Sequence, residues 1–197
     1  IDESRGTLNV NLNILGVDVN FEYLIFNNKH FNKLNIYDSY IEKSITFLIF
    51  LFGFIQNKKP SSIHYYLYLT KYKKLLPKNK KDILCGTNCN TGVTYGCAKN
   101  GKVLIYREEE WFKVFIHETF HSFGFEPNEN SERILSDYLK ERLPIKPRVR
   151  VSEAYVESWA RIINSSYASV LKSNDLKEYL TLVRFSLLVE SIFAVIQ

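Results

Sequence analysis

Apolar and polar residues alternate along the first part of the chain. Apolar side chains occupy every second position in residues 8–14 and again in residues 17–23, with asparagine and acidic residues between them. A period of two puts alternate side chains on one face of a β-strand, so this pattern predicts two strands joined by a tight turn at Gly16. The tyrosine-rich stretch 63–70 predicts a third strand.

The segment before the third strand has the pattern of a helix. Residues 38–56 are predicted to be helical, with Asp38 or Ser39 as the N-terminal cap. The second half, residues 45–55, is almost wholly apolar, which predicts a buried helix, because crossing a bilayer takes about 20 residues as a helix. No transmembrane segment is therefore expected in the chain.

The middle of the chain predicts a hairpin followed by a helix. Asn100-Gly101 stands between two β-prone runs and favours a hairpin turn, with residues 102–106 as the second strand. Three glutamates at 108–110 then stand where the first turn of a helix favours acidic side chains. Apolar residues at helical spacing follow them, and Gly124 can end the helix in a left-handed conformation.

Three further helices are predicted over residues 131–142, 151–172 and 175–196. Strands gather in the first half of the chain and helices in the second, which predicts an α+β fold with a mixed, mostly antiparallel sheet. A chain of 197 residues with 46% apolar residues is sufficient for one packed core. We therefore expect a single domain, with a sheet-rich half at 1–106 that includes the buried helix 38–56, and a helical half at 107–197.

Charge and cysteine content say little about partners. The formal net charge is +5, but 24% of the residues are charged and they carry both signs, as on an ordinary protein surface. The basic run 71–81 contains one aromatic residue, Tyr72, which favours a solvated loop, and no nucleic acid is expected as a partner. Cys85, Cys89 and Cys97 lack zinc-knuckle spacing, and one disulfide with a free thiol fits them as well as three reduced thiols.

The sequence HETFH at residues 117–121 is a candidate metal-binding and catalytic motif. On a helix His117 and His121 lie one turn apart on one face, so both imidazoles can bind a single Zn²⁺ ion. Glu118 is the candidate catalytic base, which takes a proton from zinc-bound water and passes it to the leaving amine. Chance gives H-E-x-x-H in roughly one such chain in two hundred. Here, however, the motif lies in a predicted helix after a strand and contains two of the four histidines.

The third zinc ligand does not stand where the metzincin peptidases place it. Their pattern continues to a glycine, here Gly124, and then to a third histidine, where this chain has Pro127. The chain also has no methionine for a Met-turn, so the metzincin class is excluded. In the later sequence VSEAYVES, Glu153 and Glu157 lie one turn apart on a predicted helix, and Glu126, in a turn just beyond the HETFH helix, is a weaker candidate.

HETFH and VSEAYVES together resemble the gluzincin metallopeptidases, in which a later helix carries an E-x-x-x-D motif; here glutamate replaces the final aspartate. The resemblance implies a zincin-like fold and one Zn²⁺ per chain, held by His117, His121 and Glu153. It also implies that Glu157 orients a ligand histidine and that an edge strand beside the metal binds the substrate backbone. The residues expected in that strand are Lys102, Val103, Leu104, Ile105 and Tyr106. The stretch IYREEEWFKVFIHETFH is also similar to zinc-peptidase-like proteins of large DNA viruses.

The function expected from the sequence is the hydrolysis of peptide bonds in a peptide or protein substrate by zinc-bound water that Glu118 activates. Tyr155 is one candidate, among 13 tyrosines, for a donor to the oxyanion. Two alternatives stay open: an inactive zincin-like structural or binding module, for example in a virion, and a basic nucleic-acid-binding protein in which HETFH is accidental. The sequence determines neither the oligomeric state nor the compartment, and both a virion and the cytoplasm agree with the viral resemblance.

Overall fold

The computed structural model describes residues 6–25, 37–55, 60–75, 79, 88, 90–95, 99–144 and 149–196. These residues form an α+β arrangement of five strands and five helices, which confirms the predicted class. In chain order they are β1 (Gly6–Ile14), β2 (Val17–Ile25), α1 (Asp38–Phe54), β3 (Ser62–Thr70), β4 (Gly92–Tyr95), β5 (Asn100–Arg107), α2 (Trp111–Ser122), α3 (Glu129–Arg142), α4 (Val151–Val170) and α5 (Leu176–Ile196). None of the described helices combines the length and the apolar character that crossing a bilayer requires.

The chain divides into two compact units, Ile1–Gly124 and Phe125–Gln197. The first unit contains the sheet, α1 and α2, and the second contains α3, α4 and α5. The HETFH helix therefore groups with the sheet, whereas the predicted division at residue 106 put it with the later helices. The expectation of one domain stays a prediction.

The described strands form one sheet in the order β1-β2-β3-β5-β4. β1 with β2 and β4 with β5 are antiparallel, while β3 is parallel to both of its neighbours. The predicted mixed sheet is confirmed, but the antiparallel majority is not, because parallel and antiparallel pairs are equal in number. Parallel neighbours need a long crossover, and α1 lies in the connection from β2 to β3.

The predicted edge strand at Lys102, Val103, Leu104, Ile105 and Tyr106 is wrong. These residues lie in β5, which pairs with β3 on one side and with β4 on the other. The backbone groups of β5 that face outward are occupied by β4, with Gly92 opposite Ile105 and Tyr95 opposite Lys102. Among the described strands the edge beside β5 is therefore β4.

Both hairpins predicted from the sequence are present. Leu15 and Gly16 have positive φ angles of 49° and 87° in the tight turn between β1 and β2. In the second hairpin the turn was placed wrongly, because Asn100 and Gly101 already belong to β5 and lie opposite Ser62 and Ile63 of β3. A Cβ atom at Gly101 would lie 2.7 Å from the Oγ of Ser122, so this glycine permits close packing of α2 on the sheet.

The core of the first unit lies between one face of the sheet and the helices α1 and α2. Alternate residues of β2, β3 and β5 are buried, as the period of two predicts. On this face the ring of Tyr65 lies 5.3 Å from that of Phe21 and 4.6 Å from that of Phe115 in α2. Phe47 of α1 contacts the same Phe115 at 5.8 Å. Each buried phenylalanine of this kind contributes about 1.5–3 kcal/mol of transfer free energy.

The predicted burial of α1 is right for one face only. The buried residues form a stripe along the helix, namely Ser44, Phe47, Leu48, Leu51 and Phe52. Ile49, Phe50 and Phe54 are exposed, because a helix that packs on one side of a sheet buries only the facing stripe. The cap was also placed wrongly: Tyr37 is the N-cap residue and makes no side-chain capping bond, while Asp38 lies in the first turn.

In the second unit the three predicted helices are confirmed within a few residues of their expected ends. Asn128 caps α3 by accepting a hydrogen bond from the backbone N–H of Ser131 at 2.9 Å. α4 packs against α3 and α5. Arg161 of α4 pairs with Glu157 on the same helix at 2.8 Å and with Glu190 of α5 at 3.2 Å.

Candidate metal centre

The three glutamates before α2 do not lie in its first turn, so that prediction is wrong. The helix begins after Glu110, which has a left-handed conformation with φ of 58°, and its first turn holds no acidic residue. Two of these glutamates bind other segments of the chain instead. Glu108 accepts a hydrogen bond from the hydroxyl of Tyr40 at 3.0 Å, and Glu110 pairs with Lys74 at 2.8 Å. Burial, followed by the nearby Glu108 carboxylate, raises the pKa of Tyr40 to about 12.

Two glycines of the sheet let α2 approach closely. A Cβ atom at Gly92 would lie 2.8 Å from Cγ1 of Val114 and 3.0 Å from Cγ of Glu118. At the other end of the helix, Gly101 leaves room for Ser122 in the same way. The predicted end of α2 is confirmed, since Gly124 has a φ of 64° and its N–H donates to the carbonyl of His121 at 3.1 Å.

The side chains of His117 and His121 face each other on one side of α2. Their Nε2 atoms are 3.0 Å apart, their ring centroids are 4.7 Å apart, and both residues are partly exposed. A tetrahedral zinc with Zn–N bonds of 2.0–2.1 Å holds two ligand nitrogens about 3.3 Å apart. The observed pair is within a few tenths of an ångström of that spacing. The two imidazoles therefore fit a shared metal ion with only a small movement.

Glu118 occupies the shielded side of the same helix. Glu118 is 9% exposed, and its Cγ lies against β4 at the position of Gly92. A helix turns about 100° per residue, so Glu118 projects to one side of the two histidines rather than between them. This is the position that the sequence predicts for a base beside a metal, and it is fixed by packing against the sheet edge.

Glu153, the third predicted ligand, is exposed and lies in α4 of the second unit. The two histidines of α2 thus form a candidate metal site by themselves. Its third ligand and the identity of the metal stay predictions, and so does the weaker candidacy of Glu126.

Glu157 accepts a hydrogen bond from Nε of Arg161 at 2.8 Å. The predicted role of Glu157 toward a ligand histidine stays a prediction. Tyr155 is exposed and its ring lies 6.4 Å from that of Trp159. Its predicted role as an oxyanion donor also stays a prediction.

Among the described residues, His64 is the one histidine outside α2. His64 of β3 stacks on Tyr66 with ring centroids 4.1 Å apart, and its Nε2 lies 3.7 Å from a carboxylate oxygen of Glu22. Burial lowers the pKa of His64, against the opposing effect of Glu22. The sequence predicts no ligand role for His64. His30 and the three cysteines lie outside the described residues.

Sequence reasoning did not single out the residues that support α2 from the sheet, namely Gly92, Gly101 and Tyr65. A partial signal for Tyr65 exists, because a tyrosine at an inward position of a strand needs a hydrogen-bond partner for its hydroxyl. The two glycines give no comparable signal, since their role depends on which helix packs against them. The sequence does not distinguish a glycine that forms a turn from a glycine that makes room for a packed helix.

Comparison with known proteins supplies no relative: no protein family, no characterised protein and no solved structure matches this chain. The zincin-like fold and the gluzincin resemblance therefore stay predictions. The function has to be argued from the residues of the chain itself.

Proposed function

We propose that this chain is a zinc-dependent peptidase whose metal is held by His117, His121 and Glu153. The observation that carries the proposal is the 3.0 Å separation of the two Nε2 atoms. Glu153 enters the proposal as the third ligand that the sequence predicts. Two imidazoles and one carboxylate leave a fourth position open, as catalytic zinc sites do. A structural zinc site instead closes all four positions with protein ligands, most often including cysteine.

Glu118 is the residue of this chain that moves the proton. Bound zinc supplies a Lewis acid that polarises a peptide carbonyl and makes water easier to deprotonate at neutral pH. An oxygen of the Glu118 carboxylate takes the proton of the attacking water and delivers it to the nitrogen of the leaving amine. The packing of Glu118 against Gly92 restricts the side chain to the flank of the two histidines. A fixed base of this kind favours catalysis over a purely structural role for the metal.

Strand β4 is the part of the sheet that suits an extended substrate. It is the outermost strand on its side among the described residues, and Val93 and Tyr95 are exposed along it. Gly92 at its beginning touches the helix beside Glu118. A peptide that added to this edge as a further strand would run close to the proposed base. This role replaces the one expected for residues 102–106.

The inactive-module alternative predicts a metal-binding protein that cleaves nothing, and the nucleic-acid alternative predicts a protein without metal. Metal analysis of the purified chain by mass spectrometry separates the second alternative from the other two. Incubation with an unbiased peptide mixture, with products identified by mass spectrometry, separates the enzyme from the inactive module. We expect cleavage that a chelator abolishes and added Zn²⁺ restores. Stoichiometric zinc with no cleavage across the mixture would favour the inactive module.

A further inference from the structure

The side of α2 opposite to the two histidines carries a buried polar residue, Thr119. With about 100° per residue, His117 and His121 lie near 0° and 40° around the helix axis, and Thr119 lies at about 200°. Thr119 therefore points almost directly away from the midpoint of the two histidines. It is 0% exposed and faces the sheet. The orientation of the helix about its axis that buries Thr119 therefore also places both imidazoles on the side away from the sheet.

The hydroxyl of Thr119 makes two hydrogen bonds in this buried position. Its Oγ1 donates to the backbone carbonyl of Phe115 at 2.6 Å and lies 3.1 Å from the hydroxyl of Tyr65. A threonine hydroxyl has a single hydrogen, so when it donates to Phe115, the hydrogen of the second bond comes from Tyr65. Tyr65 is 0% exposed and belongs to β3, the middle strand of the five-stranded sheet. The contact thus connects the most central strand to the helix that carries HETFH.

The surroundings make this hydrogen bond sensitive to the rotation of the helix. The ring of Tyr65 lies between those of Phe21 at 5.3 Å and Phe115 at 4.6 Å. Neither phenylalanine can accept a hydrogen bond from the Tyr65 hydroxyl in place of Thr119. Apolar contacts tolerate small rotations of a helix, whereas a hydrogen bond weakens steeply as its angle departs from linear. A buried hydroxyl that loses its partner also costs free energy.

We propose that the hydrogen bond between Tyr65 and Thr119 positions the metal ligands by fixing the rotation of α2 about its axis. The inference rests on the proposed metal centre and adds a residue from the sheet to it. Tyr65 and Thr119 are positioning residues, since both are buried on the side of α2 that faces the sheet, opposite to the two histidines. Metal sites need their ligands held within about 10–20° of the productive orientation, which apolar packing alone does not guarantee.

The test compares the zinc affinity of folded variants with their stability. Tyr65→Phe keeps the ring and removes the donor, and Thr119→Val keeps the shape and removes the hydroxyl. We expect each to weaken zinc binding at least about tenfold, measured by competition with a chelator well below the unfolding temperature. The visible spectrum of the Co²⁺-substituted protein should change as well. Thr119→Ser keeps a hydroxyl at this position, so its zinc affinity and its spectrum should be closer to those of the unmodified chain than the values of Thr119→Val are.

Tyr23→Phe is the matched control, because Tyr23 is an equally buried tyrosine on the same face of the sheet, beside Ser44 of α1 rather than α2. The hydroxyl of Tyr23 is buried without a hydrogen-bond partner in the described part of the chain, so we expect Tyr23→Phe to leave zinc affinity unchanged and to alter the unfolding temperature little. Equal zinc affinity in Tyr65→Phe and the unmodified chain would overturn the inference while leaving the metal centre intact. Equal losses of affinity in Tyr65→Phe and Tyr23→Phe would also overturn it, since they would indicate general loosening of the core. An unmodified chain that binds no zinc would overturn the metal centre itself.

Discussion

The side chains of the HETFH helix lie in different surroundings, which follow from their positions around the helix axis. His117 and His121 face outward, Glu118 packs at the flank against Gly92, and Thr119 is buried toward the sheet. The sequence predicts the first three roles, because spacing on a helix determines which side chains share a face. It does not predict the fourth, since the partner of Thr119 is 54 residues away in the chain.

At this scale the clearest prediction concerns Glu118→Gln. The amide keeps the size of the side chain but cannot accept the proton of water, so peptide cleavage should fall about 10²–10⁴-fold. Zinc content should stay at the level of the unmodified chain, because Glu118 is not among the candidate ligands. The measurement pairs metal analysis with the rate of cleavage of one peptide from the mixture. Unchanged cleavage would show that another residue acts as the base.

A second prediction at the residue scale concerns the third ligand. Glu153→Ala removes one of three ligands and should weaken zinc binding by more than the roughly 10–100-fold that a partner of a ligand typically costs. Glu157→Ala should fall within that 10–100-fold range, and Glu126→Ala should bind zinc like the unmodified chain. Chelator competition gives all three values. If Glu126→Ala loses zinc while Glu153→Ala retains it, the third ligand has been assigned to the wrong glutamate.

At the scale of elements, patterns local in sequence were sufficient for most of the fold. Alternation predicts β1 and β2, the tyrosine-rich stretch predicts β3, and helical spacing predicts all five described helices within a few residues. The errors concern contacts between distant elements. Alternation describes the two faces of a strand but not its neighbours, so it could not show that β4 covers the outer side of β5. For the same reason an apolar run could not show that α1 buries one stripe and exposes Phe50 and Phe54.

The two glycines under α2 lead to a prediction about packing between elements. In Gly92→Ala the new Cβ would lie 2.8 Å from Cγ1 of Val114 and 3.1 Å from the carbonyl oxygen of Leu104. Neither group can move far, so we expect a loss of about 1–3 kcal/mol in the free energy of unfolding. Gly53→Ala is the matched control, because a Cβ atom added at this exposed helical glycine would meet no atom within 4 Å.

The control should become more stable by about 0.5–1 kcal/mol, since alanine loses less backbone entropy than glycine in a helix. Chemical denaturation followed by circular dichroism measures both changes. We expect the free energy of unfolding to fall in Gly92→Ala and to rise in Gly53→Ala. A Gly92→Ala variant as stable as the unmodified chain would mean that β4 and α2 do not pack as closely as the structure shows.

For the whole molecule, zinc binding and folding are coupled if the proposed centre exists. A ligand that binds only the folded state stabilises it by about 2.7 kcal/mol at a concentration 100 times its dissociation constant. In a chain of this size 1 kcal/mol corresponds to about 2–4 °C, so zinc should raise the unfolding temperature by roughly 5–10 °C. Mg²⁺ should have little effect, because it prefers oxygen ligands and the pair at 3.0 Å offers imidazole nitrogens.

The variant that replaces both His117 and His121 with alanine decides where this stabilisation arises. Both side chains are partly exposed, so their loss should alter the metal-free unfolding temperature little. The double variant should then show no rise with zinc, while Tyr23→Phe, which removes a buried hydroxyl and no candidate ligand, should keep the full rise. Differential scanning calorimetry at several zinc concentrations gives the shift directly. An equal rise in the double variant would place the bound zinc elsewhere, and the three cysteines would then be the next ligands to replace, because thiolates bind this metal strongly.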